Sequence, residues 1–295
     1  MTEPRRAGRR RFILGLVLAG GFWWLNWQSA RLGPVTVWAF FPLWLGYIRA
    51  VDGLTAARYG TSLYGRDRRA FALMFLYSVP MWWLFEYFNR FLSNWEYVGG
   101  GHLPAWAFVF FASLSFSTVI PAVFVSAELL ARTLPDSWAR GPSLTLGPRA
   151  LVATFVFGAT LFALITVWPD LFYPAAWLCV VMIVEPVVHL AGWPSLTREI
   201  GRGNWRLPAA LGLGALMCGF FWEMWNIHSW PKWVYHIPYL GFAKIFEMPA
   251  LGYGGYVPFG LEVYALYRLM SGIAGVRASQ AVELGEARTP VQPTF

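Results

Sequence analysis

Apolar runs long enough to cross a membrane recur from one end of this chain to the other, and arginines gather between alternate pairs of them. A membrane-crossing helix needs about 20 mostly apolar residues to span the hydrocarbon core. Runs that approach this template fall at 12–28, 34–51, 70–91, 104–131, 148–168, 172–193, 207–228 and 249–270. With 57% hydrophobic, 19% aromatic and only 13% charged residues, the chain stands well apart from soluble domains, in which about a quarter of residues are charged. The expected fold class is all-α: a polytopic transmembrane helix bundle of about eight spans.

The arginines orient the bundle. Arg5, Arg6, Arg9, Arg10 and Arg11 precede the first run, Arg58, Arg66, Arg68 and Arg69 follow the second, and Arg132, Arg140 and Arg149 follow the fourth. Arg198, Arg202 and Arg206 follow the sixth, and Arg268 and Arg277 close the eighth. The intervening loops hold only Arg31, Arg90, Lys232 and Lys244. Positive loops stay in the cytoplasm, so both termini are expected there, in a bacterial inner membrane. The same clustering explains the net charge of +8 and argues against nucleic acid as a partner. Trp23, Trp24, Asn26 and Trp27 stand where a signal peptide would need small residues, so the first run reads as an uncleaved helix. Cys179 and Cys218 both lie inside apolar runs and read as small core residues.

The chain also repeats itself. FEYFNRFLSNWEYVG (85–99) aligns with FWEMWNIHSWPKWVYHIP (221–238), with Glu86 on Glu223 and Asn89 on Asn226 at an offset of 137, and Trp95 and Tyr97 on Trp233 and Tyr235 at 138. Pro121 meets Pro258 and Arg69 meets Arg206, again at 137. Ordered matches at offsets of 137 and 138 predict a tandem duplication: a first four-helix repeat over 1–141, a second over 142–275 and a disordered cytoplasmic tail over 276–295. Four spans per half give both halves the same orientation, which predicts a pseudo-two-fold axis along the membrane normal.

The polar chemistry concentrates in 220–267. Glu223, Glu247 and Glu262 lie there with His228, His236 and the two lysines of the chain, Lys232 and Lys244, among Trp and Tyr. Ionisable side chains within membrane-length runs mark functional sites by default. Glu86 with Asn89, and Glu223 with Asn226, are three residues apart and share a helix face. Flanked by Trp82, Trp83, Trp222 and Trp225, such a poorly solvated carboxyl suits a general acid or a proton-coupled site; hydrogen bonding that ties helices together accounts for the same residues, as does contact with lipid headgroups. The candidate catalytic set is Glu223, Glu247, Glu86, Asn226 and Asn89. Lys232, Lys244, His228 and His236, with Trp222, Tyr235 and Glu262, are candidate substrate contacts, the lysines as anchors for a phosphate or other anionic group. Pro249, Gly252, Gly254, Gly255 and Pro258 predict a broken segment, which membrane depth tolerates beside a cavity and which equally suits an interfacial loop. Glu185 and His189, four apart, make a weak metal pair or a hydrogen-bonded one, and no metal is assigned. Nucleotide, zinc-protease, serine-hydrolase and haem-attachment motifs are absent, and no cofactor is assigned.

The string FWEMWN…KWVYH.P….FEMP.LGY.GY.PF.LE resembles segments of uncharacterised bacterial multi-pass inner-membrane proteins over about the last sixty residues; the resemblance implies a bacterial inner membrane and no particular activity. In architecture, a small duplicated bundle carrying intramembrane Glu also resembles the membrane lycopene cyclases, in which carboxyl groups protonate a polyene, although that family's paired-carboxyl motifs are not evident here. Three readings stand at this stage: an enzyme acting on a lipid or isoprenoid, a proton-coupled transporter or permease, and a structural or accessory subunit of a membrane complex. Membrane lipids are partners in all three.

Overall fold

The computed structural model describes residues 2–100 and 103–276; the tail expected over 276–295 lies outside them except for Val276. The first half of the chain forms α1 (Glu3–Asn26), α2 (Ser29–Leu32), α3 (Phe40–Tyr59), α4 (Leu63–Arg66), α5 (Arg68–Leu92), strand β1 (Trp95–Val98), α6 (Ala105–Phe116) and α7 (Val119–Thr133). The second forms α8 (Pro148–Val167), α9 (Pro169–Phe172), α10 (Ala176–Leu190), α11 (Leu196–Gly201), α12 (Arg206–Asn226), strand β2 (Lys232–Tyr235), the short strands β3 (Lys244–Ile245) and β4 (Met248–Pro249), and α13 (Tyr256–Ile273).

Among the described residues, five helical segments are long and apolar enough to cross a membrane: Arg68–Leu92, Ala105–Thr133, Pro148–Val167, Pro169–Leu190 and Arg206–Asn226. A sixth is added if Ser29–Thr36 and Phe40–Tyr59, bent by 92° at their junction, form one span. The count of eight expected from the apolar runs is thus met for six at most. Two runs fall short for identifiable reasons. In α1 the apolar stretch is cut short by Arg9, Arg10 and Arg11. In the last run, Ala250–Gly255 form a 3-10 turn, so α13 starts only at Tyr256 and carries Glu262, Arg268 and three tyrosines in its 18 residues.

Helix packing follows from small residues and caps. The α1–α3 seam is built on glycines seven apart, Gly8 and Gly15 on one helix and Gly46 and Gly53 on the other; a Cβ at any of them would run into the partner helix, mainly its backbone, and such close approach is how membrane helices gain dispersion contacts. Helix α3 stops at Gly60 in the left-handed conformation, as C-terminal glycines do. Asp67 opens α5 by accepting the amide of Ala70, and Ser195 opens α11 by accepting that of Arg198, each satisfying an N–H with no helical partner. Helix α12 packs on α7 and α13, and α10 packs on α8 and α13, around a core that includes Trp44, Phe85, Phe124, Phe259, Tyr264 and Tyr267.

The two ends of the bundle differ. At one, buried carboxylates hold the arginine turns together: Asp52 takes Arg11 at 3.0 Å, the Ser62 hydroxyl at 2.9 Å and the Tyr64 amide at 3.0 Å. Glu128 takes Arg66 through both oxygens, at 2.6 and 2.9 Å, and Arg132 at 2.8 Å. At the other end, where α5 and α12 finish, the chain leaves each helix into a strand. β1 and β2 pair antiparallel, Trp95 with Tyr235, Glu96 with Val234, Tyr97 with Trp233 and Val98 with Lys232.

Candidate functional site

Alternation along a strand places Trp95 and Tyr97 on one face of β1 and Trp233 and Tyr235 on one face of β2, and both faces turn towards a carboxyl at the end of the preceding helix. Glu86 on α5 accepts hydrogen bonds from the Tyr97 hydroxyl at 2.6 Å, the Trp82 indole at 3.0 Å and the Trp95 indole at 3.3 Å. Glu223 on α12 accepts from the Tyr235 hydroxyl at 2.7 Å and the Tyr256 hydroxyl at 2.8 Å, both on one oxygen. The Trp233 indole donates to the Tyr235 hydroxyl at 3.0 Å. Glu223 is fully buried and Glu86 half-buried.

The paired asparagines position these strands. Each lies one helical turn beyond its glutamate and bridges to its strand. Asn89 gives its amide to the Trp95 carbonyl at 2.7 Å and takes the Asn94 and Trp95 amides at 2.9 and 3.2 Å. Asn226 gives its amide to the Trp233 carbonyl at 2.7 Å and takes the Trp233 amide at 2.9 Å. Asn89 and Asn226, both in the candidate catalytic set, hold the strand backbone in place.

Between these two assemblies lies a cavity of about 140 Å³, walled by Trp82, Trp95, Tyr97, Trp233, Tyr235 and Tyr256, with Trp177, Trp222 and Phe259 also on its surface and the 229–231 turn on one side. Trp222 stacks on Tyr256 at 6.1 Å and Trp82 packs against Phe116 at 5.7 Å, so aromatic carbon makes up much of the wall. The five rings that bind Glu86 and Glu223 all belong to it, whereas the two carboxyls stand behind it. Burial raises the Tyr97 and Tyr235 phenols well above their ordinary range, and the adjoining carboxyl adds to the effect in each case. They are proton-holding groups at any ordinary pH.

Several expected contacts lie elsewhere. Glu247, in the turn between β3 and β4, binds Lys232 at 2.6 Å and lies 4.0 Å from Lys244, so both lysines are drawn to one carboxylate, and none of the three lines the cavity. His236 meets Glu96 across the strands at 3.0 Å, both side chains exposed. His228 packs edge-on against Trp27 at 5.1 Å. Glu262 is fully buried away from the cavity; its carboxyl lies against the α10 backbone at Val180 and Val181 with no hydrogen bond of good geometry on either oxygen. Glu185 accepts the Thr197 amide at 2.7 Å and His189 meets Ser195 at 3.1 Å, so this pair fastens the turn into α11. Trp222 and Tyr235 line the cavity.

Sequence reasoning missed Trp82, Trp95, Tyr97 and Tyr256 as site residues. The W-x-Y spacing after each E-x-x-N was the available signal for two of them; Tyr256 and Trp82 reach the site only through helix packing. No family model, curated protein or solved structure matches the chain.

Proposed function

We propose that this chain is a multi-pass membrane enzyme that takes the end of a lipid or isoprenoid molecule into the aromatic cavity and acts on it by proton transfer. The observation that carries this reading is the wiring of the wall: Tyr235 and Tyr256 line the cavity with their hydroxyls on Glu223, and Tyr97 does so with its hydroxyl on Glu86. A bound molecule can give a proton to a phenol oxygen as that phenol passes its own to the carboxylate it already hydrogen-bonds, a route that needs no water. An apolar wall with a few convergent polar groups is the usual form of a small-molecule site. The transporter reading has less support, since the lining residues Trp222 and Phe259 are themselves buried members of the apolar core.

The proposal includes the tandem origin of the site. Corresponding elements follow one another in the two halves, α5–β1–α7 and α12–β2–α13, and each half supplies the same Glu, Asn, Trp and Tyr. The strand register supports a two-fold relation: Trp95 faces Tyr235 and Tyr97 faces Trp233, as residues exchanged by a local axis must. On this reading the halves are 1–141 and 142–275, α1 and α13 also cross the bilayer to make eight spans, and the arginine end faces the cytoplasm of a bacterial cell.

The test is isotope exchange. Purified protein in nanodiscs, supplied with a membrane isoprenoid extract in heavy water, is expected to place deuterium on carbon in a subset of lipids, read by mass spectrometry, and Glu223→Gln is expected to abolish it. Absence of exchange by the native protein, or undiminished exchange by the variant, would reject proton transfer at this site.

A further inference from the structure

The arrangement that supports the enzyme reading also specifies the charge of the group that enters the cavity. Glu86 and Glu223 accept hydrogen bonds from ring N–H and O–H groups of the wall, three rings on the first and two on the second. Those rings line the cavity while their N–H and O–H groups bond the two carboxyls, so most of the surface they offer is carbon. A ring hydrogen-bonded to a carboxylate gains electron density, and the negative quadrupole at its face is strengthened. The cavity thus presents π-density backed by two acidic groups, a combination that attracts cations.

The same wiring discriminates among cations. A primary ammonium would find only the spare lone pairs of the Tyr97, Tyr235 and Tyr256 oxygens and the Ser115 and Ser229 hydroxyls as acceptors for its three N–H groups after losing water, and any left unmet is a substantial penalty. A quaternary ammonium has no N–H to satisfy and is held by aromatic surfaces alone. The cavity volume of about 140 Å³ is close to one that holds a single benzene ring (roughly 150 Å³), which suits a trimethylammonium group and not a folded acyl chain. Lys232 and Lys244 stand outside the wall, paired with Glu247, and neither lines the cavity.

We infer that the aromatic cavity is selective for a quaternary, trimethylammonium-type cation, held by the Trp and Tyr rings and charge-balanced through them by Glu86 and Glu223. This inference rests on the reading that the cavity is the ligand site. The group can come from a choline-type lipid headgroup or from a free solute.

The test compares choline, its uncharged isostere 3,3-dimethylbutan-1-ol, and ethanolamine, by quenching of tryptophan fluorescence in the full-length protein in phosphatidylglycerol nanodiscs. Choline is expected to bind about tenfold more tightly than either, and Glu86→Gln with Glu223→Gln to remove the preference while leaving the isostere unchanged. Tyr97→Phe, which keeps the ring and removes its bond to Glu86, is a milder variant expected to lower the preference in part should the double variant fail to fold. In phosphatidylcholine nanodiscs, weaker binding of free choline identifies the headgroup as the source and unchanged binding identifies the solute; both uphold the inference. Equal affinity for choline and its isostere would overturn it and leave the apolar-ligand reading standing, whereas binding of none of the three would overturn both.

Discussion

Asn89 and Asn226 make the same connection at two places in the fold: each caps the turn from helix to strand by giving its amide to a tryptophan carbonyl at 2.7 Å, that of Trp95 for the first and Trp233 for the second. Each also takes that tryptophan's backbone N–H on its side-chain oxygen. Replacing Asn226 by Ala leaves a buried donor and acceptor unmatched, and is expected to lower stability by about 1–3 kcal/mol, read as a lower Tm in detergent. Asn89→Ala, at a half-buried position, is expected to do less. No change of Tm in the Asn226 variant would show that the turn holds without it.

The phenols of the strands set an alkaline limit. Their folded values are raised above the ordinary value of about 10, first by burial and then by the neighbouring carboxyl. The folded state therefore binds these protons more tightly than the unfolded chain. Their contribution to stability is complete below about pH 10 and is lost as pH rises through the folded values. Ultraviolet titration is expected to show the phenolate signal of Tyr97 and Tyr235 emerging together with unfolding, and Tyr→Phe variants identify which signal is theirs. Ionisation of either at its ordinary value in the folded protein would contradict the burial described.

Glu128 is the strongest tie at the arginine end. It is buried to 3% exposure and receives Arg66 bidentately and Arg132 from the next turn. Glu128→Ala is expected to destabilise by about 3 kcal/mol, the lower end for breaking a buried pair because both guanidiniums reach solvent in part. Glu128→Gln, which keeps one acceptor, is expected to lose less. A denaturant titration in mild detergent measures both.

The glycine seam tolerates no side chain. Gly46→Leu would drive its Cβ into the backbone of α1 at Ala19, where the obstacle is main chain and cannot swing away. A loss of about 1–3 kcal/mol is expected, with α1 the more accessible to protease. An unaltered digestion pattern would show that α1 and α3 can separate at little cost.

Lys232 and Glu247 form a partly exposed pair, 28% and 18%. Lys232→Met is accordingly expected to change stability by no more than about 1 kcal/mol and to leave choline affinity unchanged. A large loss of affinity would return Lys232 to the role of ligand anchor.

The legible part of this molecule is what repeats along the chain. Apolar runs and arginine clusters locate the helices and the charged end because both follow from local composition. The E-x-x-N pairs, separated by 137 residues, marked the two carboxyls that flank the cavity. Their partners were not legible: Tyr256 reaches Glu223 because α13 packs on α12, and Trp82 meets Glu86 one turn away only because a ring rotamer brings it there. The lysines misled for a similar reason. Their scarcity suggested a ligand, and the two-residue turn between β3 and β4 that brings Glu247 to both of them is tertiary geometry that spacing does not reveal.

The pairing of β1 with β2 has a consequence for how the protein is made. At roughly 5–20 residues per second, β2 leaves the ribosome roughly 7–27 s after β1. Through that interval the first strand has an open edge, and the wall of Trp82, Trp95 and Tyr97 faces whatever surrounds the nascent chain. The hollow gains its second wall, from Trp233, Tyr235 and Tyr256, only when that later part of the chain arrives, so for those seconds a half-built aromatic face is left uncovered.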